Sequence, residues 1–180
     1  MDSSSKWREI KPPIYRHGSQ TATLLKDGRV LILAYDKAEV FDPVKECWAE
    51  IAPPLFAHRS RYSACLLNDG RVLFTGRGSV EGAPLGAGVY DPDTNNWKKV
   101  FSPGIPSLSR HQTTVLRDGR VLLSAGGIYR GEKQYLKSSG DCFLWNPLED
   151  QWTTAPPLQD SRRDHSTAQL PDGTVIVTAG

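Results

Sequence analysis

The sequence predicts an all-β fold of the propeller type, built from repeated units of four short strands. An Asp-Gly dipeptide recurs four times between apolar runs, and its glycines are Gly28, Gly70, Gly119 and Gly173. A proline and a tryptophan five residues apart recur three times, in VFDPVKECW, VYDPDTNNW and LWNPLEDQW. Glycine and proline are frequent, with 16 and 13 copies in 180 residues, which favours many turns over long helices.

Each unit is expected to supply four strands in a fixed order. The first, such as TTVL, ends at the Asp-Gly turn, which tolerates the positive φ that a two-residue hairpin needs. The second is an apolar run with β-branched residues, such as RVLIL. The third ends at an aromatic residue followed by Asp or Asn and then Pro, which stops strand pairing, and the fourth begins at Trp. These signals predict blades over about 16–55, 59–106 and 108–158, a half-blade over 163–180 and a lone outer strand over 5–13.

The number of repeats favours a propeller over a β-trefoil, which three such units would fill. Four Asp-Gly units are present, and a fourth tryptophan unit, WREIKPP, stands near the start of the chain. Propeller blades often share strands from the two chain ends, which closes the ring and hides the strand edges. The last copy, PDGTVIVTAG, is one glycine shorter than its counterpart RDGRVLLSAGG. We therefore expect a fragment, a partial propeller whose unpaired blade edges favour self-association.

The repeat residues resemble those of the Kelch family. The third copy carries an Arg-His start, a second strand ending in Gly-Gly, an aromatic-Asn pair and a Trp. Those residues are Arg110, His111, Gly126, Gly127, Trp145, Asn146 and Trp152. The second copy has Arg77-Gly78 in place of the di-glycine, and the first has Tyr35-Asp36. The WD type fits less well, because no copy shows a Gly-His opening or a Trp-Asp ending. The resemblance spans Trp7 to Gly180 and implies a Kelch-type β-propeller, with repeats of the Kelch or galactose oxidase central-domain type.

The recurring glycines and aromatic residues are interpreted as structural. Glycine permits close approach and positive φ where strands crowd together, and a Trp on strand four is large enough to wedge between blades. The positions assigned to this repeat signature are Gly28, Gly70, Gly119, Gly126, Gly127, Gly173, Tyr90, Trp7, Trp48, Trp97 and Trp152.

The long, variable segments are expected at the end of the blades opposite the Asp-Gly and Pro-to-Trp turns. They join strands two and three, as in GRGSVEGAPLGAG and GGIYRGEKQYLKSSGD, or join successive blades. Function usually lies on such loops, and arginines there favour a carboxylate or an acidic peptide through paired hydrogen bonds. The candidate partner-binding residues are Arg59, Arg61, Arg77, Arg110, Arg130, Arg162 and Arg163. For the residues at the start of strand one, the alternative is a structural role between blades; these are Arg61, Arg110, His111 and His165.

Two functions remain open at this point, a scaffold that binds a protein or acidic peptide and the propeller domain of an enzyme. The resemblance implies the first for most members and the second for galactose oxidase, with its copper and tyrosyl radical, and for sialic acid mutarotases. No paired carboxylates or tyrosine–cysteine set can be placed here, so no catalytic residue, cofactor or metal is predicted. A metal shared by His111 and His165 is less favoured than simple repeat equivalence, and a purely structural role is a third interpretation.

Composition and the N-terminal sequence give expectations about the class of partner, the location and the state of the cysteines. A net charge of +2 gives no support for nucleic-acid binding, and no apolar run reaches the roughly 18 residues of a membrane helix. The N-terminal MDSSSKWREI has no apolar signal-peptide core, so a cytoplasmic location is expected. The three cysteines, Cys47, Cys65 and Cys142, form no CxxC pair and are expected to be reduced thiols.

Overall fold

The computed structural model describes residues 7–15, 21–34, 37–54, 62–76, 85–102, 104–130 and 134–180. Within these ranges the chain forms fifteen β-strands and no helix, so the all-β prediction is confirmed. The same ranges contain no helix long and apolar enough to cross a membrane.

The first eight strands form two antiparallel four-stranded sheets in which neighbours in sequence are neighbours in the sheet. Blade 1 consists of β1 (Thr21–Leu24), β2 (Val30–Ala34), β3 (Lys37–Asp42) and β4 (Cys47–Glu50). Blade 2 consists of β5 (Ser63–Leu66), β6 (Val72–Gly76), β7 (Gly86–Asp91) and β8 (Asn96–Val100).

The remaining strands form a third blade and a two-stranded sheet. Blade 3 consists of β9 (Leu108–Ser109), which pairs with β11, and of β10 (Gln112–Val115), β11 (Val121–Arg130), β12 (Gln134–Asn146) and β13 (Gln151–Ala155). The half-blade consists of β14 (Ser166–Gln169) and β15 (Val175–Thr178).

The first strands of successive sheets lie side by side, with β1 beside β5, β5 beside β10 and β10 beside β14. Hydroxyl groups link them: Ser63 Oγ lies 2.7 Å from Thr113 Oγ1, and Thr114 Oγ1 donates to Thr167 Oγ1 at 2.7 Å. The sheets are therefore arranged about a shared inner edge, as propeller blades are around their axis.

The apolar core lies between the blades. Leu31 and Leu33 of blade 1 pack in one cluster with Phe74 of blade 2, and all three are almost inaccessible to solvent. At the next boundary Leu73 of blade 2 shares a cluster with Trp145 of blade 3. Because burial of one such side chain contributes about 1.5–3 kcal/mol, face-to-face packing holds the arc of blades together.

The Asp-Gly turns are three-residue loops, not the two-residue hairpins expected from the sequence. In blade 1, Leu25 N donates to Arg29 O at 2.8 Å, which leaves Lys26, Asp27 and Gly28 in the loop. Of these three only the glycine has a positive φ, +87°, and the other turn glycines lie between +86° and +96°. Asp27 Oδ1 accepts from Arg29 N at 3.0 Å, and the same bond recurs in the other three turns. The aspartate thus stabilises a turn that the glycine makes possible.

The strand 2–3 connection of blade 3 differs from the long loop expected for GGIYRGEKQYLKSSGD. After a bulge at Ala125, whose φ is +54°, the ladder between β11 and β12 continues, and Gly127 pairs with Ser138 and Arg130 with Gln134. A bulge adds twist and redirects a strand without ending it. The described parts of the connection therefore extend the β11–β12 hairpin.

The glycine that follows the Ala125 bulge in the second strand of blade 3 is required by close approach. Gly126 has φ +121°, and a Cβ built on it would lie 3.1 Å from His111 Cβ and 3.2 Å from Ser109 O. At the equivalent Gly180, with φ +98°, a Cβ would lie 3.0 Å from His165 Cβ. A side chain at either position would clash with the start of the neighbouring first strand.

The tryptophans of strand four pack against the aromatic residue that ends strand three. The pairs are Phe41 with Trp48, Tyr90 with Trp97 and Trp145 with Trp152, with ring centroids 5.0, 5.0 and 6.3 Å apart. Trp7 does not follow this pattern, because its side chain is fully exposed. Its own unit has no third strand among the described residues, so it has no aromatic partner to pack on.

Two of these tryptophans also form a hydrogen bond to the preceding unit. Trp97 Nε1 donates to Ala52 O at 2.7 Å, and Trp48 Nε1 donates to Lys11 O at 2.8 Å. Each acceptor stands four residues after the tryptophan of the preceding unit, which is Trp48 in one case and Trp7 in the other. The N-terminal segment therefore lies where the outer strand of a preceding unit would lie.

The lone outer strand expected over 5–13 is not formed where the structure describes this segment. Its two prolines lack the N–H that a ladder needs, and no third strand lies beside it in the described chain. Its side chains nevertheless keep the repeat pattern, because Arg8 pairs with Glu46 as Lys98 pairs with Asp150.

Candidate functional site

The loop face is the end of the blades that carries the strand 2–3 connections and the connections between blades. Of the arginines predicted there, Arg59, Arg61 and Arg77 lie outside the described residues, and the side chain of Arg130 is not described either. The structure describes the side chains of the other three, Arg110, Arg162 and Arg163.

Arg110 and Asp164 form a pair across the boundary between blade 3 and the half-blade. They occupy the same repeat position, directly before the buried His111 and His165. Arg110 Nη1 donates to Asp164 Oδ2 at 2.6 Å, and Asp164 N donates to Arg110 O at 2.9 Å. Both residues have left-handed backbone, with φ of 61° and 56°, which is uncommon outside glycine. Backbone and side chain thus hold this charged pair in one arrangement.

Arg163 approaches the same carboxylate from another side. Its Nε lies 3.7 Å from Asp164 Oδ2, and its guanidinium carbon lies 3.8 Å from the centroid of the Tyr135 ring. Tyr135 belongs to the extended β11–β12 hairpin and shares a hydrogen bond of 2.9 Å between its hydroxyl and Ser138 Oγ. The cation–π contact orients the guanidinium plane, so Arg110 and Arg163 converge on one oxygen of Asp164.

Arg162 forms its hydrogen bonds mainly with main-chain atoms of neighbouring strands and connections. Its Nη1 donates to Ala179 O at 3.0 Å, and its main-chain N and O bond to Ser139 O and Gly126 N at 3.2 and 2.9 Å. These contacts attach the connection between blade 3 and the half-blade to the middle of β11 and β12 and to the residue after β15. Of the three described arginines, Arg162 is the one most occupied by main-chain atoms.

The two buried histidines bond across blade boundaries. His111 Nε2 lies 2.7 Å from Thr75 Oγ1 of blade 2, and His165 Nε2 lies 2.9 Å from Ser124 Oγ of blade 3. Burial lowers the pKa of His165 below its ordinary value of 6.5, the charge of Arg162 acts in the same direction, and Asp164 opposes them. These contacts favour the structural interpretation of both histidines.

The described residues do not fit the copper site of galactose oxidase, which the Kelch resemblance suggested, or another metal site. In the described ranges no group of three His, Cys, Asp or Glu side chains comes together in a way that could hold a metal. Two of the thiols are disfavoured as thiolates: burial raises the pKa of Cys65 to about 12, and burial raises the pKa of Cys142.

A groove of about 390 Å³ lies at the opposite end, between the Asp-Gly turns of blades 1 and 2. Asp27 and Asp69, which line the groove, form hydrogen bonds within their own Asp-Gly turns. A side-chain hydrogen bond from Arg29 lowers the pKa of Asp27. Burial works to raise the pKa of Asp69, but the hydrogen bonds and charge of Arg71 together hold it below its ordinary value. We therefore assign this groove to the turn structure.

The sequence places Asp164 at this end of the blades, but its pairing with Arg110 and the contribution of Tyr135 were not predicted. The pairing could have been found from the equivalence of Asp164 to Arg110, since equivalent residues of adjacent blades are neighbours. Tyr135 carried no such signal, because its place depends on the continuation of the β11–β12 ladder through a bulge.

Comparisons with known proteins agree with this architecture. No protein-family model and no curated protein sequence matches the chain. The solved structure of YjhT matches 88% of this chain with a TM-score of 0.69 at 14% identity. A fungal alcohol oxidase of the AA5 family, solved in complex with copper, matches 92% of the chain with a TM-score of 0.55 at 15% identity. The fold is that of a β-propeller. The chain spans 57% and 47% of these two proteins, about half their length, and at such identities the likeness concerns the fold alone.

Proposed function

We propose that this chain is a binding module of the Kelch type, whose loop face takes up an acidic segment of a partner protein. The observation that carries the proposal is the convergence of Arg110 and Arg163 on a single carboxylate. That geometry marks the place as one built to accept a carboxylate group, here supplied by Asp164.

The chemistry of the two arginines suits this role. Arg110 and Arg163 keep 22% and 33% of their side-chain surface exposed, so a carboxylate in solution can reach them. Guanidinium groups present several N–H donors in one plane and match carboxylates better than ammonium groups do. The ring of Tyr135 fixes the orientation of Arg163, which reduces the entropy that binding must overcome.

The repeat pattern extends the proposal to the neighbouring boundary. The residue two positions before the first strand is Arg61 in blade 2, Arg110 in blade 3 and Asp164 in the half-blade. Where blade 3 meets the half-blade, an acid of the chain itself faces Arg110. Where blade 2 meets blade 3, the sequence has arginine at this position on both sides, which favours a carboxylate supplied by a partner.

The inner strands provide a rigid base for these side chains. Ser63 and Thr113, and then Thr114 and Thr167, form hydrogen bonds from one first strand to the next. His111 and Thr75 add a buried bond below Arg110. Sites carried by strands that are fixed in this way hold their geometry before a partner arrives.

The alternative is the propeller domain of an enzyme. The likeness to an alcohol oxidase raises it, but that likeness extends to the fold alone. The described residues do not fit a copper centre, and we derive no catalytic step from them.

The proposal is tested by fluorescence anisotropy with a labelled hexaglutamate peptide, and with hexaglutamine as the uncharged probe. We expect Arg110→Gln and Arg163→Gln each to weaken hexaglutamate binding by about tenfold, because each removes a charge-assisted contact. Arg117→Gln is the matched control: it removes the same charge from an exposed residue beside the Asp-Gly turn of blade 3, at the opposite end. Equal affinities for all three variants would overturn the proposal.

A further inference from the structure

We infer that Asp164 is a built-in competitor of the acidic partner and occupies the carboxylate place between Arg110 and Arg163 until the partner displaces it. This inference rests on the function proposed above. It assigns the loop face a regulated ligand site in which an acid of the chain and an acid of the partner exchange at the same two guanidinium groups.

The contacts of Asp164 are those of an occupant that can be exchanged. Both guanidinium groups meet the same oxygen, Oδ2, one at 2.6 Å from Arg110 and the other at 3.7 Å from Arg163. The side chain of Asp164 remains 48% exposed, so the place lies at the surface and not within the core. Ion pairs with this exposure contribute little to stability, and a partner that used two carboxylate oxygens would bind the pair better.

The main chain lets the carboxylate leave without unfolding the site. Asp164 N stays bonded to Arg110 O at 2.9 Å whichever way the side chain points. The following residue, His165, is anchored by its bond to Ser124 Oγ. A side-chain rotation is therefore sufficient to exchange the internal carboxylate for an external one.

Asp164→Asn tests the inference, because Asn tolerates the left-handed backbone of this position and removes only the charge. The matched control is Asp160→Asn, which removes the same charge in the same connection from a residue that is 84% exposed and lies near Arg162 instead. Long-range attraction of an acidic peptide changes equally in both variants, so a difference between them reports the local exchange.

The readout is the affinity for labelled hexaglutamate, with near-ultraviolet circular dichroism as the check on folding. We expect Asp164→Asn to bind about tenfold more tightly than Asp160→Asn. Equal affinities of these two variants would overturn the inference while leaving the proposed function intact, provided that Arg110→Gln still weakens binding. If no variant, Asp164→Asn included, binds hexaglutamate more tightly than hexaglutamine, the proposed function and the inference both fail. Asp164→Gly, which suits the backbone equally well, replaces Asp164→Asn if that variant does not fold.

Discussion

His165 Nε2 lies 2.9 Å from Ser124 Oγ, and this buried bond joins the half-blade to blade 3. One boundary earlier, His111 Nε2 lies 2.7 Å from Thr75 Oγ1 and joins blade 3 to blade 2. The hydroxyl stands at the same place in the second strand in both cases, and the imidazole stands directly before the next first strand. The boundary between blades 1 and 2 has an apolar version of the same pair.

That apolar version is formed by Leu33 and Tyr62, which are both buried. Thr75→Val should therefore destabilise the protein by about 1–3 kcal/mol, because it deprives a buried imidazole nitrogen of its hydroxyl partner. The double variant Thr75→Leu/His111→Tyr reproduces the residues of the first boundary. Its loss of unfolding free energy should be smaller than the sum of the losses of Thr75→Leu and His111→Tyr. Urea unfolding in a double-mutant cycle measures this coupling. Simple additivity of the single variants would show that the two kinds of pair are not interchangeable.

His165 should make stability depend on pH. Its pKa is lowered in the folded chain by burial and by Arg162, so the folded state binds a proton less readily than the unfolded state. Its contribution is complete above the unfolded value of about 6.5 and is lost as the pH falls through the lower folded value. Urea midpoints measured from pH 7.5 down to pH 5 should fall, and His165→Gln should flatten that curve. A curve that keeps its slope in His165→Gln would assign the effect to another group.

The indole bonds between units give a prediction with an internal control. Trp97→Phe removes the bond from Nε1 to Ala52 O, while Trp152→Phe removes an Nε1 that finds no acceptor among the described residues. Both changes remove a similar volume from a half-buried position. We expect Trp97→Phe to cost about 1 kcal/mol more in chemical unfolding. Equal costs would mean that the bond to Ala52 contributes nothing measurable.

Gly126, which follows the bulge in the second strand of blade 3, should be less replaceable than the glycine of a turn. In Gly28→Ala the added Cβ has no atom within 4 Å, so the only penalty is the positive φ of +87°. This variant should lose about 1–2 kcal/mol of unfolding free energy. Gly126→Ala adds close contacts with His111 Cβ and Ser109 O to a φ of +121° and should cost clearly more. Thermal unfolding of the two variants side by side decides the order. A smaller loss for Gly126→Ala would contradict the close contacts described around Gly126 within blade 3.

Much of the fold could be predicted from short-range signals. Asp-Gly, aromatic-Asp-Pro and Trp each act within a few residues, and repetition makes them reliable, so strand order and blade architecture follow from the sequence. The three-residue form of the turns could not be predicted, because Asp-Gly also suits the two-residue form. The exposed Trp7 was missed for a different reason: its packing depends on a third strand that the described residues do not provide.

The candidate site was less predictable. The sequence indicates that Arg110, Arg162 and Arg163 lie on the loop face, but not what each one touches. Their contacts depend on the left-handed backbone of Arg110 and Asp164 and on the bulge that extends β11 and β12. Neither feature is marked by a motif in the sequence.

The most direct test follows the guanidinium groups themselves. In ¹⁵N spectra of the arginine Nε–H groups, assigned with single Arg→Gln variants, added hexaglutamate should shift the signals of Arg110 and Arg163. The signal of Arg120, which is paired with Asp118 at the opposite end, should stay in place. This pattern is the result expected if the loop face binds carboxylates through these two arginines. Shifts at Arg120 alone, or equal shifts at all three, would contradict that claim.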